Sequence, residues 1–460
     1  MESEESTICD LRLTIGKPVP RKSHIVNPKS PVAKTDAILQ QLRDYESRNI
    51  TFMEADGSWP IVWERAKGVQ VWDAEGKKYL DLTAAFGVAA AGHANPAVVR
   101  AGQKQMAKLL HAMGDVHPHA LKARLARELS RITFERWHRK EGKVIFNNSG
   151  FEAVEAALKT AMLATGKRGV IAFEGAYHGL GYGALNATHR EHFRGPFRSQ
   201  LREFGSFLPF PKTKSDLRLL TSAATKIFQR EKIGAILVEP VQARGGINIP
   251  PPEFLLLLRK LCDDHGALLI LDEIYTGFGR TGKWFACEHA GVVPDVICLG
   301  KALTGGFPLS ACVGRAQVMD ASWPASTGEA IHTSTFLGHP VGCAMALAQI
   351  AEIKRRKLCE RSAKLGQQLF KMLSILQLPS SIRATPRGVG LMVGLELINQ
   401  DGSPATGESL RAIKTMLHRG YILLPEGEHG NVISFTPPLS ISEAQLERTA
   451  RELEKVLNHG

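Results

Sequence analysis

The sequence predicts an α/β fold, a mostly parallel sheet flanked by helices, followed by a smaller α+β unit. Three observations predict it. The runs "GVIAF" (169–173), "GAILVE" (234–239), "ALLILD" (267–272) and "DVICLG" (295–300) are continuously apolar, as in strands buried on both faces. Helical patterns at 151–164 and 251–264 lie among them, as parallel crossovers require. After about residue 340 the alternation stops, and helices at 340–356, 407–419 and 442–458 surround an apolar run, "GLMVGLEL" (390–397).

Taken in order, residues 1–50 are rich in Pro and Lys and read as an irregular arm. "VQVWDAEGKKYLDLT" (69–83) reads as a hairpin, with Asp73 and Gly76 supplying the turn. Helical patterns follow at 96–110 and 120–133, and "KVIFN" (143–147) is the first strand of the repeating series. At 460 residues the chain exceeds one ordinary core. We expect an arm and part of a small domain over 1–85, a large domain over 86–340 and a C-terminal small domain over 341–460.

Composition excludes several classes. Apolar residues make up 44% and charged residues 22%, ordinary for a globular enzyme, and no window is long and apolar enough for a membrane helix. The start, "MESEESTICD", is acidic and lacks a signal-peptide apolar region. Seven scattered cysteines with no C-x-x-C pair read as reduced thiols of a cytoplasmic protein without a zinc site. The net charge of +13 is spread along the chain, and its densest run, "KRRK" (354–357), ends a helix pattern. A solvated helix end explains that run better than nucleic-acid binding, for which no motif is present.

Ligands of open parallel sheets sit at the carboxyl ends of the strands, so the residues ending each run are the candidates. Lys301 follows one strand and Asp272 ends another. Alone, Lys301 reads as a snorkelling surface lysine and Asp272 as a cap or turn former. Together they suit pyridoxal phosphate. Its aldehyde needs a partly desolvated amine, and its ring nitrogen needs a carboxylate to stay protonated. In "NNSGFEAVEAALKTAML", Ser149 and Gly150 open a helix whose free N–H groups attract a phosphate. Ser149 with Glu152 also fits a plain capping box. Tyr177 and His178 in "EGAYHG" place an aromatic after a strand, which either stacks on a flat ring or packs in the core.

These residues resemble a known family. "LDEIYTGFGRTGKWFA" followed by "PDVICLGKALTGGFPLSA" is similar to the signature of class III pyridoxal-phosphate aminotransferases of fold type I. "NSGFEAVEAALKTA", "AYHG", "ILVEPVQ", "HTSTFLGHP" and "FTPPLSISEAQ" follow in the family's order. The resemblance implies that Lys301 is the Schiff-base lysine and proton shuttle, and that Asp272 faces the pyridine nitrogen. Gly150 and Phe151 would bind phosphate through the backbone, and Tyr177 would stack on the ring. Glu239 and Gln242 would flank it. Thr335 would reach the phosphate of a neighbouring subunit, implying a homodimer or a tetramer built from dimers. Phe86 would be a wall of the substrate pocket.

The chain also departs from that family. Leu180 stands where members acting on ornithine or 4-aminobutyrate carry Arg, and Ser434 stands where many carry the arginine before "PPL". Arg244, in "PVQARGG", replaces the glutamate that pairs with that arginine. Arg244 therefore either binds the oxo-acid carboxylate or points to solvent or to an acidic neighbour. Leu180, Phe86 and Phe151 would make the donor side apolar. The expected function is ping-pong transfer of an amino group from an amine or ω-amino compound to pyruvate or 2-oxoglutarate. An aminomutase or epimerase on the same scaffold, or a basic binding protein without catalysis, are the alternatives.

Overall fold

The strands expected from residue 143 onward assemble into one seven-stranded sheet in the computed structural model, which describes residues 33–459. Numbered within this sheet, they are β1 Gly142–Asn147, β2 Gly169–Phe173, β3 Gly205–Leu208, β4 Ile233–Val238, β5 Leu268–Asp272, β6 Val296–Leu299 and β7 Ser310–Arg315. Their spatial order is β1-β7-β6-β5-β4-β2-β3. Neighbours from β6 to β3 are parallel, and β7 runs antiparallel to both β6 and β1.

Alternate residues of each strand serve opposite faces. Val170, Ala235, Leu237, Ile270 and Val296 meet the helix Gly150–Thr165, which presents small residues such as Ala153, Ala156 and Ala157 and so lies close. Ile171, Ile236, Leu269, Leu271 and Ile297 point the other way, into a core shared with Phe254, Leu258 and Leu261 of the helix Phe254–His265. Both faces are therefore dry, which is why the strands read as unbroken apolar runs.

The expected hairpin is present. Gln70–Asp73 and Lys78–Asp81 pair antiparallel, and the Asp73 carboxylate caps the turn by accepting from the Glu75 and Lys77 amides. Tyr421–Ile422 joins this sheet in parallel with Lys78–Asp81, tying the early chain to the late chain. Ile382–Val389, Met392–Asn399, Leu424–Glu426 and Val432–Phe435 form a separate antiparallel sheet. The helices Leu358–Ser374, Thr406–His418 and Glu443–Asn458 also belong to this late part of the chain.

Three differences from the sequence reading stand out. The arm is not irregular throughout: Lys34–Tyr45 is a helix, with Asp36 in its first turn and Arg43 in its last, complementing the helix dipole. Residues 1–32 lie outside the described region. The long helix stops at Arg355, and after Lys357 in a left-handed conformation a second helix, Leu358–Ser374, starts. β3 and β7 were not expected, because "GSFL" is short and "SACVGR" begins and ends polar.

The late sheet is wedged at Gly390 against the segment that follows β5. This residue has φ +56°, and it lies between Gly366 of the helix Leu358–Ser374 and the backbone of Arg280 to Gly282. Arg280 is fully buried and donates to the carbonyls of Leu391 (2.9 Å) and Pro437 (2.6 Å). A methyl group added at Gly366 would land inside the Gly390 carbonyl. Gly→Ala inside a helix ordinarily stabilises by about 1 kcal/mol. Here the sign reverses: Gly366→Ala is expected to destabilise by about 1–3 kcal/mol through overpacking, measured by denaturant unfolding.

Candidate active site

The carboxyl ends of β1, β2, β4, β5 and β6 converge on one cavity of ≈ 660 Å³. Asp272, the last residue of β5, and Lys301, two residues past β6, both line it. The register pairs Asp272 with Cys298, so the two strands deliver the carboxylate and the amine side by side. Gly300 and Lys301 turn the chain sharply, Lys301 at φ 40°, and Gly305 and Gly306 continue at φ 73° and 141°. This is the glycine setting a long cation needs to be aimed back into the cavity.

Asp272 is buried, and both its oxygens have partners. Oδ2 lies 2.8 Å from His178 Nδ1, and Oδ1 accepts the Ile274 amide at 3.1 Å. Glu239, just past β4, is buried too and accepts the amides of Tyr177 and Ala243, each at 3.1 Å. Burial pushes its carboxyl above the usual range, and Asp272 adds to that. Burial pushes the Lys301 amine below the usual lysine range, opposed by Asp272, Glu239 and Glu426.

The loop after β2 holds Tyr177 and His178 against this floor. The His178 amide donates to the Thr188 hydroxyl at 2.9 Å, and Tyr177 packs edge-on against Phe193 at 5.5 Å. Gly150 and Phe151 line the cavity from the first turn of the helix Gly150–Thr165. Glu152 accepts the amides of Asn148 (2.9 Å) and Ser149 (2.6 Å), so the next amides, those of Gly150 and Phe151, are the donors available to an anion. Phe86, Leu180 and Phe151 line the outer wall, at 51%, 48% and 38% exposure, and make it apolar.

Four predicted residues are not brought to the cavity wall. The Ser149 hydroxyl bonds Glu152 at 3.1 Å, completing the capping box. Gln242 is occupied in its loop, donating to the Glu174 carbonyl (2.8 Å) and accepting from Asn248 (2.9 Å). Ser434 is buried within the strand Val432–Phe435, between Gly394 and Leu424. Thr335 is exposed on the segment 331–336, away from this chain's own cavity.

Arg244 does line the cavity, and its neighbour is acidic. Its Nε lies 3.6 Å from Glu426 Oε2, and its guanidinium carbon lies 5.9 Å from the Tyr177 ring centre. Glu426 is buried, and its carboxyl is pushed up to about 7 by burial, held back by Arg244 and Arg190. Arg190 donates to the Arg244 carbonyl at 2.6 Å. The sequence reading missed Glu426, which no local pattern marks. It also missed Tyr275, a buried cavity residue three positions after Asp272, where the same search along strand ends would have found it.

The arrangement fits pyridoxal 5′-phosphate. One cavity offers a desolvated amine, a buried carboxylate oriented by a histidine, an aromatic wall and a helix start for a phosphate. Comparison with known proteins agrees. The model of the family described as Aminotransferase class-III matches residues 52–457. The chain is 36% identical to an acetylornithine aminotransferase of Methanosarcina mazei, over 94% of this chain and 99% of that one. It is 37% identical to the 5-aminovalerate aminotransferase DavT of Pseudomonas aeruginosa, over 85% and 91%. A solved amine transaminase from an uncultivated Pseudomonas species, in a PLP-bound form, superposes with a TM-score of 0.80 at 28% identity, over 89% and 98%. The chain belongs to the class III aminotransferases, which transfer amino groups with pyridoxal 5′-phosphate.

Proposed function

We propose that this transaminase takes its amino group from an amine or ω-amino compound with an uncharged chain, and that Arg244 binds the carboxylate of the oxo-acid acceptor. The observation that carries this reading is the make-up of one cavity. Its outer wall is Phe86, Leu180 and Phe151, and Arg244 is its cation besides Lys301 among the described residues. The curated relatives named for acetylornithine and 5-aminovalerate support an ω-amino donor. An apolar wall favours a methylene chain, and a guanidinium binds a carboxylate through two parallel hydrogen bonds.

When bound, pyridoxal phosphate supplies the electron sink for breaking the bond at the amine-bearing carbon. Lys301 would hold the cofactor between turnovers and move the proton during each half-reaction. Asp272 would keep a proton at the ring nitrogen, with His178 fixing its carboxylate. Gly150 and Phe151 would hold the phosphate through their amides, and Glu239 and Tyr177 would confine the ring. With Lys301 at its base and the Tyr177 wall beside Arg244, one cavity serves both halves of a ping-pong cycle.

The same reading includes a homodimer with the site at the interface. Leu110, Met113, Val116, Ile331 and Phe336 are all more than half exposed, and His111 packs edge-on against Phe336 at 5.3 Å, so they share one face. Apolar patches of this kind mark protein interfaces, and this one carries Thr335. The six described cysteines are all buried and free, which agrees with a cytoplasmic setting.

Four outcomes test the reading. Lys301→Ala should lose at least about a thousandfold in kcat, the scale of a lost general base, and Asp272→Asn about a hundredfold, in a donor panel with pyruvate. Arg244→Ala should raise KM for the oxo acid by about tenfold or more and leave KM of a plain amine unchanged, as loss of a charge-assisted pair predicts. Because Glu426 has a raised carboxyl, it is neutral below about 7 and ionised above. Oxo-acid KM should therefore rise as pH climbs through that value and the ionised Glu426 competes for Arg244. Glu426→Gln should flatten the rise, and an unchanged profile would remove Glu426 from the scheme. Phe336→Glu should give monomers by sedimentation, with weakened retention of pyridoxal phosphate.

A further inference from the structure

The ring of Tyr275 forms part of the cavity wall, and the Lys301 amine lies 4.6 Å from its centroid. At that distance the negative face of an aromatic ring attracts an ammonium. The ring is fixed from two sides. Its hydroxyl shares a hydrogen bond with Thr436 Oγ1 at 3.0 Å, and the Thr436 amide donates to the Leu82 carbonyl at 2.7 Å. On the other side is Gly87, where an added Cβ would stand 3.0 Å from the ring. Gly87 ends a run of four residues, Ala84 to Gly87, with φ of 48°, 49°, 60° and 81°. Such a run persists only where its surroundings hold it, so the strained turn is anchored and keeps the ring in place.

We propose that the face of Tyr275 is the seat of the Lys301 ammonium whenever that amine is not bonded to the cofactor. Tyr275 is then a positioning residue for the reactive lysine. The nearby carboxylates each have other partners: Asp272 has His178 and the Ile274 amide, and Glu239 accepts two backbone amides. The remaining charged groups facing the amine are Glu426, itself facing Arg244, and Arg244, which repels it. A four-carbon stem freed in the donor half-reaction and bonded again at the end of the acceptor half-reaction would otherwise have to be reordered in every cycle. A fixed aromatic face returns the amine to one place without locking it in an ion pair.

The inference rests on Lys301 being the cofactor's lysine, and its test uses the apoenzyme, where only the amine and its surroundings are read. Lys301 is titrated by trace acetylation across pH, with its peptide quantified by mass spectrometry. Position 275 carries tyrosine, phenylalanine, or phenylalanine with one, two or three ring fluorines, which drain the face and keep the shape. Tyr275→Phe should titrate with the wild type. Successive fluorines should lower the Lys301 midpoint stepwise, by about half a unit to one unit in all, a threefold to tenfold rise in neutral amine at a fixed pH below it. Tyr275→Leu should fall at least as far, and the fluorine series keeps the test sound if that variant unfolds. A midpoint that stays constant along the series overturns the proposal. So does a Phe variant that shifts as far as the trifluoro one, since the hydroxyl link to Thr436 would then be responsible. Lys301→Ala turnover tests the lysine's role separately, so failure of one reading is distinguishable from failure of the other.

Discussion

The site depends on a carboxylate and an amine held side by side at the dry ends of neighbouring parallel strands. The pairing of Asp272 with Cys298 sets their level, and the left-handed turn at Lys301 sets the amine's direction. Each is kept reactive by what surrounds it. Asp272 gives one oxygen to His178 and the other to a backbone amide, so its carboxylate is held in one orientation. Lys301 is desolvated enough to sit below the usual lysine range, closer to the pH at which a base both loses and accepts protons. Neither condition survives if the strands are solvated, which explains why the sheet must be buried on both faces.

The side proposed for the acceptor is built differently. Arg244 comes from the segment after β4 and Glu426 from the late antiparallel sheet, so their contact joins two parts of the chain. An arginine facing a cavity with no counter-ion would bind any anion, while a permanently paired one would bind none. A buried carboxyl with its ionisation moved to about 7 lies between these limits. Relative to the family pattern, the positive member of the pair has moved onto the β4 segment and the negative member onto the late sheet. Ser434 does not replace the missing arginine: it carries no charge and is buried in a strand paired on both sides, with Gly394 and Leu424 as its ladder partners.

Much of this was legible in the sequence because parallel strands leave two marks: unbroken apolar runs, and functional residues where the runs stop. Asp272, Lys301, Glu239, Tyr177 and Gly150 all follow from that rule. The rule fixes a neighbourhood and not a side-chain direction: Gln242 is engaged within its own loop and Ser434 lies within a strand. Ser149 has two readings in the sequence, phosphate donor and helix cap, and the structure gives its hydroxyl to the cap. β7 escaped because an antiparallel strand inside a parallel sheet interrupts the expected strand–helix alternation. Glu426 was illegible, since the arginine that gives it meaning is remote in sequence.

The contacts of Tyr275 and Glu426 share an origin. Tyr275, against the amine, is tied through Thr436 to the strand Val432–Phe435 and its exit, and Glu426, against Arg244, pairs with Val432 of that strand. Arg280, eight residues after Asp272, donates to Leu391 and Pro437 on either side of it. The late sheet therefore touches the Lys301 side and the Arg244 side of one cavity at once. A displacement of that sheet would move Glu426 beside Arg244 and, through Thr436, the ring against the Lys301 amine together. Coupling of this kind needs no long relay: it follows from packed side chains referred to a single rigid strand.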